Sequence, residues 1–274
     1  MRIAIPSLFL LISFLLIGCS VQKIENVSYL QTTSNSNPTL NIFSSKKSKY
    51  KNNPVLVFVH GGNWDSGQKE LYNFYGKNFA KKGVTTVVVG YTLSPDADYK
   101  EMTAQIAEAI KWTQNNIANY KGDPKKLFLT GHSAGGHLVA LAAMDPQYGI
   151  DQSSISGIIL NDAAGLDMHN YLQQYPPTST DNYLTTWSND PEIWKKASPI
   201  FYVSKNTPEI MMYVGEKTYP SIKVANKRFL EAIKPFQPNL EPILIDKKHI
   251  PVMTQFIWPW NNRYEEMIQF MQGN

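Results

Sequence analysis

A chain of 274 residues suits one large α/β domain or two small ones. Its hydrophobic fraction of 43%, with six Trp, fifteen Tyr and twelve Phe, can fill a substantial core and excludes a disordered or collagen-like chain. The formal net charge of +4 is mild, and neutral sequence separates the pairs Lys46-Lys47, Lys81-Lys82 and Lys125-Lys126, a spread that speaks against a nucleic-acid-binding stripe.

In chain order, Arg2 precedes an apolar run from Ile3 to Ile17 that is interrupted only by Pro6, Ser7 and Ser13. That is the length of a signal-peptide core and is short for a spanning helix. The run ends in Leu16-Ile17-Gly18-Cys19, which resembles the lipobox of bacterial lipoproteins. The resemblance implies a signal peptide over residues 1–18, lipid attachment to the Cys19 thiol, and export to the cell envelope on a membrane anchor. An ordinary cleaved signal and an uncleaved anchor are the alternatives. Cys19 is the only cysteine, so no intrachain disulfide can form. Residues 19–38 are polar and read as a tether with one short strand around Val27–Tyr29.

From residue 39 the pattern becomes regular. Strands are expected at Thr39–Phe43, Val55–Val59, Val84–Val89, Leu127–Leu129, Ile155–Leu160, Ile210–Val214 and Pro242–Ile245. The continuous β-branched runs among them suit strands buried on both faces of a parallel sheet. Helices are expected at Lys69–Lys82, with Gly83 as a stop signal, and at Tyr99–Asn119, where Met102, Ile106, Ile110 and Ile117 recur at helical spacing. Further helices are expected at Ser133–Met144, Ser221–Ile233 and Arg263–Met271. The alternation predicts one doubly wound α/β domain over residues 39–274. Residues 166–208 are aromatic but aperiodic and read as a cap-like insertion over a site.

Two motifs carry chemistry. Gly131-His132-Ser133-Ala134-Gly135 stands between an apolar strand and a helical stretch, the context a nucleophile elbow requires. There the serine sits on a tight turn, so the residues two positions away on either side must be tiny. A second motif, His60-Gly61-Gly62-Asn63-Trp64, follows the strand Val55–Val59. Its glycine backbone at Gly61 and Gly62, together with the Ala134 N–H, could hold the oxyanion of a tetrahedral intermediate.

The stretch from His60 to Met144 resembles the HGG-containing esterase branch of the α/β-hydrolase fold, a branch of carboxylesterases, carbohydrate acyl esterases and kynurenine-formamidase-like enzymes. The motifs are HGGNWDSG, GYTLSP at 90–95, GDPKKLFLTGHSAGGHLVAL and SPIFYVS at 198–204, and the similarity extends over roughly residues 54–274. The resemblance implies an α/β-hydrolase fold and a serine hydrolase. It departs from the pattern at Thr92, where Arg is usual, and at Gln105, where a helix Asp is common.

Ser133 is then the expected nucleophile and His249, which follows the last strand, the expected base. Of the other histidines, His60 and His137 read as structural, His132 points away from the serine, and His169 lies in the cap. The resemblance places the acid after the seventh strand as GxxD, but that stretch is Gly215-Glu216-Lys217-Thr218. Asp162, at the end of the strand beside the one that bears Ser133, is the first candidate. Glu216 and the absence of any acid are the others. Trp64, Trp187 and Trp258 are expected to line the substrate pocket, with core packing as the alternative. The expected reaction is hydrolysis of a carboxylic ester through an acyl-enzyme. A formamidase-like activity and an inactive surface-binding lipoprotein stand behind it. Neither metal-ligand spacing nor a nucleotide fingerprint is evident in the sequence, so no cofactor is implied.

Overall fold

The computed structural model describes residues 20–30, 37–47, 52–178 and 182–273. Its centre is an eight-stranded sheet in the order β1-β2-β4-β3-β5-β6-β7-β8. In chain order these strands are β1 (Val21–Ser28), β2 (Thr39–Ser45), β3 (Asn53–Val59), β4 (Thr85–Val89), β5 (Gly122–His132), β6 (Gly157–Asn161), β7 (Ile210–Gly215) and β8 (Ile243–Ile245). The first two strands join antiparallel, and all pairings from β4 to β8 are parallel.

Nine α-helices cover the sheet among the described residues. These are α1 (Asn73–Lys81), α2 (Tyr99–Asn116), α3 (Ala134–Met144), α4 (Met168–Gln174), α5 (Tyr183–Trp187), α6 (Pro191–Lys196), α7 (Pro220–Ile233), α8 (His249–Thr254) and α9 (Arg263–Gln272). Successive side chains on a strand point to opposite faces, so each central strand feeds two cores. Val55, Val57 and Val59 of β3 join the core built with α2, α3, Trp187 and α7, whereas Leu56 and Phe58 join the core built with α1, α8 and α9. This two-sided burial explains the unbroken apolar runs. Among the described residues, no helix is long and apolar enough to cross a membrane.

Most elements stand within a few residues of their expected places, with three differences. The strand expected at Val27–Tyr29 instead runs from Val21 to Ser28, so the sheet begins within residues that read as a tether, ahead of the expected start at 39. It is an edge strand, with Lys23 and Glu25 exposed on its outer side, and an edge needs only one apolar face. The strand expected at Leu127–Leu129 is extended at both ends to Gly122–His132, and its pairing to β3 shifts between Asn53 and Val55. Within the insertion at 166–208, short helices α4, α5 and α6 replace an aperiodic loop.

Thr92 and Gln105 remain a pair despite the loss of both charges. The Thr92 N–H donates to Gln105 Oε1 at 2.8 Å, and Gln105 Nε2 donates to Thr92 Oγ1 at 3.0 Å. The loop after β4 is thus tied to α2 by two neutral hydrogen bonds. The residues of the expected signal peptide and Cys19 lie outside the described residues.

Candidate active site

The site is assembled at the C-terminal ends of the central strands. Strand β5 ends at His132 and β6 at Asn161, and these two residues are paired in register. The next residue on each strand turns sharply into a positive φ, +55° at Ser133 and +48° at Asp162. Side chains rarely adopt this region without compensation. Hydrogen bonds supply it here. The Ser133 N–H reaches the Asn161 carbonyl at 3.2 Å, and the Asp162 N–H reaches the Tyr213 carbonyl at 2.8 Å.

The glycines that flank Ser133 make this turn possible. A Cβ on Gly131 would lie 2.3 Å from the Gly135 carbonyl, and a Cβ on Gly135 would lie 2.1 Å from the Val59 carbonyl oxygen. Both are clashes with backbone, which cannot move aside. The elbow is therefore pressed against β3 as well as against its own helix, α3.

One hydrogen-bonded chain links the three expected reactive side chains. Ser133 Oγ lies 2.8 Å from His249 Nε2, and His249 Nδ1 lies 2.6 Å from Asp162 Oδ2. Asp162 is fully buried, while Ser133 and His249 each keep a small exposed edge. The Asp162 carboxylate also accepts from the Gly215 N–H at 3.0 Å and from the Thr218 hydroxyl at 2.5 Å. Glu216, the alternative acid, is exposed on the turn between β7 and α7, while the groups that meet His249 Nδ1 are Asp162 and Thr218.

The remaining histidines are placed by packing. His132 is buried, and burial, with the neighbouring His249 as the second cause, pushes its pKa down to about 3. His137 receives the Trp64 indole N–H on Nδ1 at 3.1 Å and donates from Nε2 to the Ala197 carbonyl at 2.7 Å. Burial pushes its pKa down to about 4. It is thus a neutral rivet between the Gly61-Gly62 loop and the insertion. His60 is buried against Tyr91, and burial lowers its pKa as well. His169 sits on α4 beside Gln173.

A cleft of about 510 Å³ opens above Ser133. Gly61, Gly62 and Trp64 form one wall, Tyr171 and Tyr183 come from the insertion, and Tyr219 and His249 face them. Among the described residues, no group accepts from the N–H of Gly61, Gly62 or Ala134. Gly61 stands beside the serine, since a Cβ there would meet Ser133 Cβ at 2.9 Å.

Two of the three expected pocket tryptophans lie elsewhere. Trp187 is fully buried beneath the cleft, edge-on to Trp64 at 4.8 Å and stacked on Tyr99 at 5.5 Å. It supports the wall without lining it. Trp258 is 55% exposed and packs against Trp260 on the outer surface, because the segment after α8 carries it past the cleft. Tyrosines line the cleft instead. Tyr171 and Tyr183 belong to the insertion, whose aromatic content hinted at it, whereas Tyr219 stands on the turn after β7, where nothing in the sequence marked it.

A mostly parallel sheet with a serine held at positive φ between β5 and α3 defines an α/β hydrolase. Within that class the chain belongs to the BD-FAE family, whose sequence model matches residues 40–231. Esterase LipQ of Mycobacterium tuberculosis is 30% identical over 194 residues, covering 65% of this chain and 45% of LipQ. Esterase LipC of the same organism is 27% identical over 191 residues, covering 65% of this chain and 47% of LipC. The chain thus spans just under half the length of these curated relatives. Among solved structures, esterase B from Lactobacillus rhamnosis matches with a TM-score of 0.76 at 20% identity, covering 92% of this chain and 87% of that one. A truncated carbohydrate esterase from gut microbiota matches with a TM-score of 0.75 at 18% identity, covering 92% and 97%. These likenesses show the fold.

Proposed function

We propose that the chain is a serine hydrolase that cleaves carboxylic esters through an acyl-enzyme. The observation that carries this reading is the unbroken hydrogen-bonded chain Asp162–His249–Ser133 at the floor of an open cleft. The naming of LipQ and LipC as esterases supports it.

In the first step His249 Nε2 takes the Ser133 proton as Oγ attacks the carbonyl carbon, and Asp162 stabilises the imidazolium that forms. The N–H groups of Ala134 and of Gly61 or Gly62 receive the developing oxyanion, aided by the N-terminus of α3. His249 then protonates the leaving alkoxide and the alcohol departs. Water enters, gives its proton to His249 and attacks the acyl carbonyl, and collapse of the second tetrahedral intermediate releases the acid and restores Ser133. The cleft is large enough for a small acyl group together with part of a larger alcohol, and its tyrosine lining favours a substrate with both apolar and hydroxylated faces.

The test is labelling by a fluorophosphonate probe together with hydrolysis of p-nitrophenyl esters. Both are expected of the wild type and neither of Ser133→Ala. Undiminished labelling of the alanine variant would overturn the assignment of the nucleophile.

The same reading places the enzyme outside the cytoplasm on a lipid anchor at Cys19, supported by the apolar run and the Leu16–Cys19 motif. Cys19→Ser is expected to block incorporation of labelled fatty acid and to release the protein from membranes. Continued incorporation would overturn the anchor.

A further inference from the structure

The turn that closes β7, residues 215–218, offers no carboxylate to the imidazole, yet it grips the one that serves it. Its Gly215 N–H donates to Asp162 Oδ1 at 3.0 Å, and its Thr218 hydroxyl donates to Asp162 Oδ2 at 2.5 Å. The turn is itself closed by the Thr218 N–H on the Gly215 carbonyl at 3.1 Å. Thr218 Oγ1 also lies 3.3 Å from His249 Nδ1. The hydroxyl proton belongs to the carboxylate, because an ionised Asp162 only accepts, the oxygen–oxygen contact is the shorter one, and Nδ1–H is itself directed at Oδ2.

We propose that Thr218 is a positioning residue for the base, acting through Asp162. With Oδ1 held by Gly215 alone, the carboxylate could turn about its Cβ–Cγ bond and withdraw Oδ2 from the imidazole. The Thr218 hydroxyl is the second point of attachment that stops this rotation. It also satisfies a lone pair that the fully buried Asp162 has no water to satisfy. The acid thus stands on β6, while the two donors that aim it stand on the turn after β7. The inference rests on the serine-hydrolase reading above, because aiming matters only where His249 must take and return a proton.

The experiment compares the full-length wild type with Thr218→Val, which keeps the shape without the donor, and with Thr218→Ser, which keeps the donor. For each, kcat and KM on a p-nitrophenyl ester, the rate of fluorophosphonate labelling and the melting temperature are measured. Thr218→Val is expected to lower kcat by at least about tenfold and slow labelling in parallel, with KM held within about twofold, since a hydrogen bond to a charged group is lost at the transition state. Thr218→Ser is expected to stay within about threefold of wild type. Should the valine variant fail to fold, Thr218→Ala, which only removes atoms, carries the same expectation. A donorless variant with wild-type kcat, or a serine variant as slow as the donorless one, overturns the proposal while leaving Ser133 as nucleophile. A wild type that takes no label overturns the serine-hydrolase reading and this inference with it.

Discussion

His132 lies face-on against His249, with ring centroids 4.6 Å apart and its Nε2–H directed at the His249 carbonyl 3.2 Å away. The residue beside the nucleophile thus supports the base from beneath, and its burial favours the neutral ring. His137, buried one turn along α3, is held neutral more directly, because its Nδ1 must accept the Trp64 N–H while its Nε2–H donates to Ala197.

The first prediction follows from these two rings. An unfolded imidazole takes up its proton near pH 6.5, whereas these take theirs at about 3 and about 4 in the folded state. Between those values the unfolded chain holds more protons, so stability is full above about pH 6.5 and falls as the pH falls. By pH 5 each ring is expected to cost about 2 kcal/mol. Melting temperatures from pH 7.5 to 5 test this, and His137→Gln is expected to flatten the slope. An unchanged slope in that variant would remove His137 from the account.

The second prediction concerns the acid. Asp162→Asn keeps the shape and the Gly215 contact but removes the charge, and is expected to cost on the order of a thousandfold in kcat. Glu216→Gln, altered in solvent, is expected to stay near wild type. The reverse ranking would move the acid to Glu216. Because Thr218 Oγ1 already stands 3.3 Å from His249 Nδ1, Asp162→Asn/Thr218→Asp is expected to regain at least about tenfold over Asp162→Asn alone. No recovery would mean that the β7 turn cannot present a carboxylate to this base.

The third prediction separates the tryptophans. Trp187→Ala is expected to destabilise by about 3–5 kcal/mol, because it empties a fully buried site. Trp187→Phe is expected to cost far less, since it also removes an indole N–H that has no acceptor among the described residues. Trp258→Ala is expected to leave both stability and chain-length preference nearly unchanged. A shift in acyl preference on truncating Trp258 would return that residue to the pocket.

The fourth prediction tests the elbow. Gly135→Ala is expected to yield little folded protein, because its Cβ would stand 2.1 Å from the Val59 carbonyl oxygen. Soluble, fully active Gly135→Ala measured by yield and turnover would contradict the close packing of α3 on β3.

These outcomes also mark what the chain discloses on its own. The elbow and the Gly61-Gly62 loop are legible because their constraints are local. A tight turn demands tiny neighbours, and the demand is written within five residues. Asp162 is harder to choose, since what selects it is the register of β5 on β6 and the donors of a turn more than fifty residues further on. Neither distance nor register is printed in a linear string. Trp187 and Trp258 are misread for a related reason. Aromatic character marks a side chain that seeks cover, but the cover can be a core, a cleft wall or a neighbouring ring, and only the path of the backbone decides which. The first strand is expected too short and too late because an edge strand can be mostly polar, as Val21–Ser28 is.

The in-register ending of β5 and β6 has a consequence for when the molecule becomes reactive. Nucleophile and acid sit on adjacent strands, whereas the base lies 116 residues beyond one and 87 beyond the other. Elbow and carboxylate can therefore take shape together while the imidazole is still missing. A chain that ends ahead of His249 lacks the base and, with it, the α8 and α9 side chains that complete the core on that face of the sheet. Turnover therefore needs α8 docked against an elbow and an acid that other segments shape, so catalysis reports directly on that docking.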